Sequence, residues 1–224
     1  MDGNRAGFSV GEYDRSRPLV IDPAIISYST YLGGEDNDRV HAIAADADGN
    51  AYAVGWTQSE LFPVKNAYQA GQNADSDEAF ITKFNADGSQ LIWSTYLGGG
   101  LGLFVGEGTT DPSDGAYGVA LDANRNVYVT GYTFSFDFPT RNAMQPHQSD
   151  TGCCFLGDSF ITKLNAAGNE LVFSTYFGGA DGNDFGRGIA VDKNNNVYVT
   201  GYTNSFAFPT TNPIQREIDG RTDH

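Results

Sequence analysis

Acidic residues recur at fixed places in this 224-residue chain. Asp38, Asp114 and Asp184 each stand five residues before a repeated phrase that opens at Ile43, Val119 and Ile189. Glu78 and Asp158 occupy matching positions before a second recurring phrase, which reads Phe-Ile-Thr-Lys from Phe80 and from Phe160. Carboxylates gathered at one end of a repeat array suit Ca²⁺, which takes several oxygen ligands at once. The same placement suits a plainer role, because an Asp entering a strand often caps a turn with its own side chain. Asp38, Asp114 and Asp184 are therefore candidate metal ligands, with capping as the competing reading. Ca²⁺ is the one cofactor that the residues suggest.

Other chemistry finds less support. Asp46-Ala-Asp-Gly-Asn50 has the opening spacing of a calcium-binding loop, but the twelfth position is Thr57 rather than Glu. Its counterparts Asp122-Ala-Asn-Arg-Asn126 and Asp192-Lys-Asn-Asn-Asn196 lack the second acid, and a hairpin turn explains all three. Cys153 and Cys154 are adjacent and have no second cysteine pair to complete a zinc site. They admit a strained vicinal disulfide, two free thiols or bridges to another chain. The histidines are His41, His147 and His224. His147 shares a loop with Cys153, yet nothing in the spacing demands a Cys–His pair. Neither Gly-x-Ser-x-Gly nor His-Glu-x-x-His occurs, and the glycines from Gly98 to Gly102 lack the lysine of a phosphate loop. A carboxylate pair for glycoside hydrolysis is a matter of geometry alone.

The elements that must position these residues come from repetition. Tyr28-Ser-Thr-Tyr-Leu-Gly-Gly34 returns as Trp93 to Gly99 and as Phe173 to Gly179. The phrase from Ile43 to Thr57 returns as Val119 to Thr133 and Ile189 to Thr203. Within one repeat, strands are expected at 40–46, 51–57, 79–85 and 90–97. Ala47-Asp-Gly-Asn50 and Ala86-Asp-Gly-Ser89 supply the tight turns, since glycine accepts positive φ. The strand phrases are β-branched and aromatic nearly throughout, with little helical period. Four antiparallel strands repeated in series predict an all-β fold of β-propeller blades.

The phrases Tyr-Ser-Thr-Tyr-Leu-Gly-Gly, Asn-Val-Tyr-Val-Thr-Gly-Tyr-Thr, Asp-Phe-Pro-Thr and Phe-Ile-Thr-Lys-Leu-Asn resemble the bacterial SBBP β-propeller repeat. The resemblance runs from about Ser27 to Thr210, and 8–23 is similar to the segment that leads into the first repeat. It implies a large secreted or cell-surface bacterial protein with about seven blades, and it brings no catalytic residues. This chain has fewer blades, so the expected ring is incomplete. The expected division is a lead-in segment with an edge strand over 1–27 and a lone outer strand over 28–34. Blade 1 spans 35–99 and blade 2 spans 100–179, with two loop insertions. The first half of blade 3 covers 180–210, and a polar tail covers 211–224.

Connectivity assigns the loops. The first-to-second and third-to-fourth turns share one face of a blade, and the other loops share the opposite face. Both insertions of blade 2 fall on that opposite face. Fourteen residues separate Gly99 from Asp114, against three between Gly34 and Asp38. Twenty separate Pro139 from Phe160, against sixteen between Pro63 and Phe80. Loops on a rigid scaffold commonly carry binding, although loops also merely tolerate insertion. The expected binding face comprises Leu101, Leu103, Phe104, Glu107, Asp111, His147, Cys153, Cys154 and Phe155.

Composition narrows the partners. With 13 basic against 28 acidic residues the net charge is −15, which argues against nucleic acid and against docking on anionic membranes. No stretch is apolar for the ~20 residues of a membrane helix. Residues 1–7 have no apolar signal core, so either a leader has been removed or the chain is part of a longer one; the repeats favour the second. Three functions compete. The leading one is a non-catalytic scaffold or binding platform for protein or glycan, extracellular or on the cell surface. The second is a polysaccharide hydrolase or lyase using the acids of the loop face. The third is a protomer that completes its blades as a homo-oligomer.

Overall fold

Each repeat folds into a four-stranded antiparallel sheet in the computed structural model, which describes residues 26–73, 76–102, 104–105, 108–109, 112–149 and 156–218. In blade 1, β1 (Asp38–Ala45), β2 (Ala51–Thr57), β3 (Glu78–Phe84) and β4 (Leu91–Leu97) pair in chain order. A two-residue-per-strand hairpin follows, β5 (Phe104–Val105) and β6 (Gly108–Thr109). Blade 2 is built from β7 (Asp114–Leu121), β8 (Val127–Thr133), β9 (Asp158–Leu164) and β10 (Leu171–Phe177). β11 (Asp184–Val191) and β12 (Val197–Thr203) form the first half of a third blade. In blade 1 every expected strand boundary lies within two residues of the observed one, whereas the edge strand expected within 1–27 falls on residues that lie, but for 26 and 27, outside the described ones. The sheets of four, four and two strands do not close into a ring.

The Asp-x-x-x-Asn turns work through their first residue. Asp46 Oδ1 accepts from the amides of Asp48 and Asn50, both at 3.0 Å, and Asp122 and Asp192 repeat the arrangement. The left-handed position is Gly49 (φ 84°) in the first turn, but Arg125 and Asn195 (both φ 65°) in the others. Burial alone would raise the Asp46 carboxyl; hydrogen bonds from Asn50, Tyr52 and the Asp48 amide outweigh it and hold it at about 2. Lys83 reaches Asp46 at 3.5 Å, and Lys163 reaches Asp122 at 3.3 Å. The calcium-loop spacing is thus occupied by hairpin hydrogen bonds.

Sheets stack face to face, which is why their strands are apolar on both sides. Tyr52, Val54, Ile81, Trp93 and Leu97 of blade 1 share one core with Val127, Val129 and Leu164 of blade 2. The Trp93 indole donates to Ala166 O of the next blade at 3.2 Å. The outer edge of each complete blade is covered by its own second loop. Lys65 exchanges backbone hydrogen bonds with Ser94, and Arg141 does so with Ser174. That cover protects β4 and β10 from pairing with other chains.

Residues 28–34, expected as a lone outer strand, are irregular and pair with none of the described strands. They nevertheless keep the packing position of one. The Tyr28 ring lies against Gly88 as the Trp93 ring lies against Gly168, and Leu32 packs near Phe62, Phe80 and Tyr96.

Candidate functional site

The recurrent acids sit where one blade hands over to the next. Each opens the first strand of its blade and faces, in register, the threonine that ends the second: Asp38 with Thr57, Asp114 with Thr133, Asp184 with Thr203. Each then caps a glycine pair, which for Asp114 and Asp184 follows the preceding fourth strand. Gly34 N donates to Asp38 at 2.8 Å, Gly99 N to Asp114 at 2.8 Å and Gly179 N to Asp184 at 2.7 Å. A serine completes the set: Ser59 donates at 3.2 Å, Ser135 at 2.8 Å and Ser205 at 2.9 Å.

Glu78 and Asp158 anchor the second loop instead. Glu78 accepts from the Asn73 amide at 2.7 Å and from Gln69. Asp158 accepts from the Ser149 amide at 2.8 Å and from Gln145 at 2.9 Å. Gly98 lies between Glu78 and Asp114, and Gly178 lies between Asp158 and Asp184. A Cβ at either glycine would collide with both carboxyl groups, so the Gly-Gly phrase is the space in which two acids approach.

Burial dominates the ionisation of these groups. It pushes Asp114 up to about 7, against hydrogen bonds from Thr133, Gly99 and Ser135. It pushes Asp158 up to about 6, with the nearby Asp184 charge adding to the rise, and Asp184 is raised in the same way. Asp114 Oδ1 and Asp184 Oδ1 are buried without a well-formed hydrogen bond. A strongly shifted acid is often a catalytic one. Here Asp114 and Asp158 are 1% and 0% exposed.

Asp38, Asp114 and Asp184 each serve a separate junction. Among the described residues, no three His, Cys, Asp or Glu side chains come together as a metal-holding group.

The loop face carries a different feature. Glu35, Asp36, Gln58, Glu60 and Gln72 line an open polar cleft of about 510 Å³ in blade 1. The first insertion of blade 2 is tied down beside it. Gly100 N and Leu101 N donate to Asp137, Asn73 donates to Gly98 O, and Ser76 donates to Pro112 O at 2.5 Å. Leu101 is 58% exposed, and His147 is exposed in the second insertion. Phe104 lies in β5. Leu103, Glu107, Asp111, Cys153, Cys154 and Phe155 lie outside the described residues.

One grouping escaped the sequence reading. The first strand of each blade bulges at a single residue: His41 in β1, Tyr117 in β7 and Arg187 in β11. The bulges turn these side chains onto one another. The His41 and Tyr117 rings lie 4.5 Å apart, and the Arg187 guanidinium lies 4.3 Å from the Tyr117 ring. Burial lowers the His41 pKa, and the charges of Arg39 and Arg187 lower it further. The available signal was a position three residues after each recurrent acid whose type changes between repeats. Repetition drew attention to what stays the same, and a bulge leaves no trace in the strand period.

These features define a chain of propeller blades whose recurrent acids cap the junctions between them. A family model described as the SBBP β-propeller repeat matches residues 27–63, 92–139 and 172–207. The matched stretches make up more than half of the chain, and this protein belongs to that family. No curated protein matches it.

Proposed function

We propose that this chain is a non-catalytic propeller segment of a secreted or cell-surface bacterial protein, and that its loop face is a binding platform for protein or glycan. The polar cleft beside the anchored first insertion carries this reading: Glu35, Asp36, Gln58, Glu60 and Gln72 are open to a ligand there. The buried acids are not, which speaks against hydrolase or lyase chemistry. Hydroxyl groups of a glycan or basic side chains of a protein suit carboxylates and amides in an open site.

The test replaces residues 100–113 by the three-residue crossover of blade 1, residues 35–37, together with Asp36→Asn and Glu60→Gln in the cleft, and screens the full and the altered chain against glycan arrays and surface proteins. The full chain should retain a ligand that the shortened chain loses, with an unchanged circular dichroism spectrum. A ligand held equally by both chains, or none held by the full chain, refutes the reading.

A further inference from the structure

Away from the loop face, one cluster gathers cations in a chain dominated by acids. β7 touches both β1 and β11, so the three blades meet along their first strands. The bulges there bring His41, Tyr117 and Arg187 together. The Arg187 guanidinium lies 4.3 Å from the Tyr117 ring centre and 5.8 Å from that of Phe185. The His41 ring approaches Tyr117 at 4.5 Å. Arg39, two residues before His41 on β1, stands over Trp56 at 5.4 Å. Each of these strands has its antiparallel partner in place. First strands line the central channel when blades close into a ring, so the cluster stays open to small molecules in a complete propeller.

The charges of this cluster are unanswered. The chain has 28 acidic and 13 basic residues, and the exposed Arg125 and Arg141 each hold a carboxylate, at 2.6 and 2.9 Å. Arg39 and Arg187 are exposed as well. Among the described residues they meet aromatic rings and no carboxylate. A guanidinium lying on a ring uses its flat face, and its five N–H donors point outward from the edge. Ring contact therefore orients both forks without satisfying them. His41 adds a second sign: its Nε2 is buried and has no hydrogen-bond partner. The charges of Arg39 and Arg187 both bear on that imidazole.

We propose that this inner edge binds a small molecule carrying two carboxylate groups, one taken by Arg39 and the other by Arg187. A guanidinium edge matches a carboxylate through two parallel N–H···O bonds. The bound anion offsets the repulsion that both arginines exert on a proton at His41. A phosphate brings more charge per group and meets more repulsion from a chain of net charge −15. The carboxylates can belong to a free dicarboxylic acid or to uronic acids of a glycan, and the chemistry of recognition is the same.

Glutarate and digalacturonate are the two probes, titrated separately into the full chain at about 20 mM salt, where screening is weak. Calorimetry reads the binding, and the histidine ring signals in NMR locate it. At least one probe should saturate with Kd at or below about 1 mM. His41 should shift and titrate at higher pH, while His147 and His224 stay unmoved. Arg39→Gln and Arg187→Gln alter exposed side chains and should keep the circular dichroism spectrum; each should weaken binding about tenfold or more. Saturation by glutarate alone supports a free acid as the source, and saturation by digalacturonate alone supports a glycan. No saturation by either up to about 10 mM, unchanged binding in both arginine variants, or binding that leaves His41 unmoved overturns the proposal. So does equal binding of the uncharged dimethyl ester of digalacturonate, or pyrophosphate binding about tenfold tighter than both probes. The loop face contributes no residue, so the loop-altered chain should bind the probes normally whatever the fate of the platform reading.

Discussion

Asp114 shows how one buried carboxyl sets a pH dependence. In the folded chain it titrates near 7 and Asp158 near 6, and Asp184 is also raised. In an unfolded chain such groups titrate near 4. Between about pH 4 and 7 the folded state therefore holds protons that the unfolded state has released, and stability falls as pH rises through that window. The turn acids act in the opposite sense. Asp46 is held at about 2, and Asp122 and Asp192 are lowered, so their stabilisation is present above pH 4 and is lost as pH falls below it. The melting temperature should rise on moving from pH 8 to pH 5, and Asp114→Asn should flatten that slope. Thermal melts of both proteins across the range check it; an unchanged slope in the variant would assign the effect to other groups. Asp114→Ala leaves the Gly99 amide and the Ser135 hydroxyl without their acceptor, which should cost about 1–3 kcal/mol in urea unfolding.

At the scale of the element, identical strands make a controlled comparison. Tyr128 in β8 is 4% exposed, and Tyr198 at the same place in β12 is 58% exposed. Tyr128→Ala opens a cavity between blades and should cost about 3 kcal/mol or more. Tyr198→Ala removes a solvated ring and should stay within about 0.5 kcal/mol. Denaturant unfolding of the two variants decides the matter, and equal losses would mean that β12 is covered in solution. Gly98→Ala belongs to the same scale, because it drives a methyl group between Glu78 and Asp114 at the end of β4. A loss of about 2 kcal/mol is expected from the displacement of two buried hydrogen-bonded acids.

For the whole molecule, the question is what holds the blades together without closure. Blade stacking is apolar, and the acids at the junctions bind backbone amides and hydroxyls. The melting temperature should therefore be the same in excess Ca²⁺ and in EDTA, measured at constant ionic strength. A fall of several degrees in EDTA would restore Asp38, Asp114 and Asp184 as calcium ligands. The open ends present Tyr31, Val40 and Ile43 on one side and Tyr198, Tyr202 and Phe206 on the other.

Much of this fold could be read from residue order. The phrases around Ile43–Thr57 and Phe80–Lys83 carry strand, turn and strand in turn, because β-branched and aromatic runs bounded by Asp-Gly leave the backbone little choice. The loop face followed from connectivity alone. Three things did not follow. The depth of Asp114 and Asp158 depends on how closely two glycine-rich crossovers pack, which spacing does not encode. The meeting of His41, Tyr117 and Arg187 depends on a bulge, which shifts one residue out of the strand alternation. Above all, Val127–Thr133 and Val197–Thr203 are the same residues with opposite burial. Local sequence determined that both are strands. β8 has β9 on its edge and β11 of the next blade packed on its face, and β12 has neither a third strand nor a following blade among the described residues. Only these neighbours decided which is core and which is exposed, because burial is a property of neighbours and not of the strand itself.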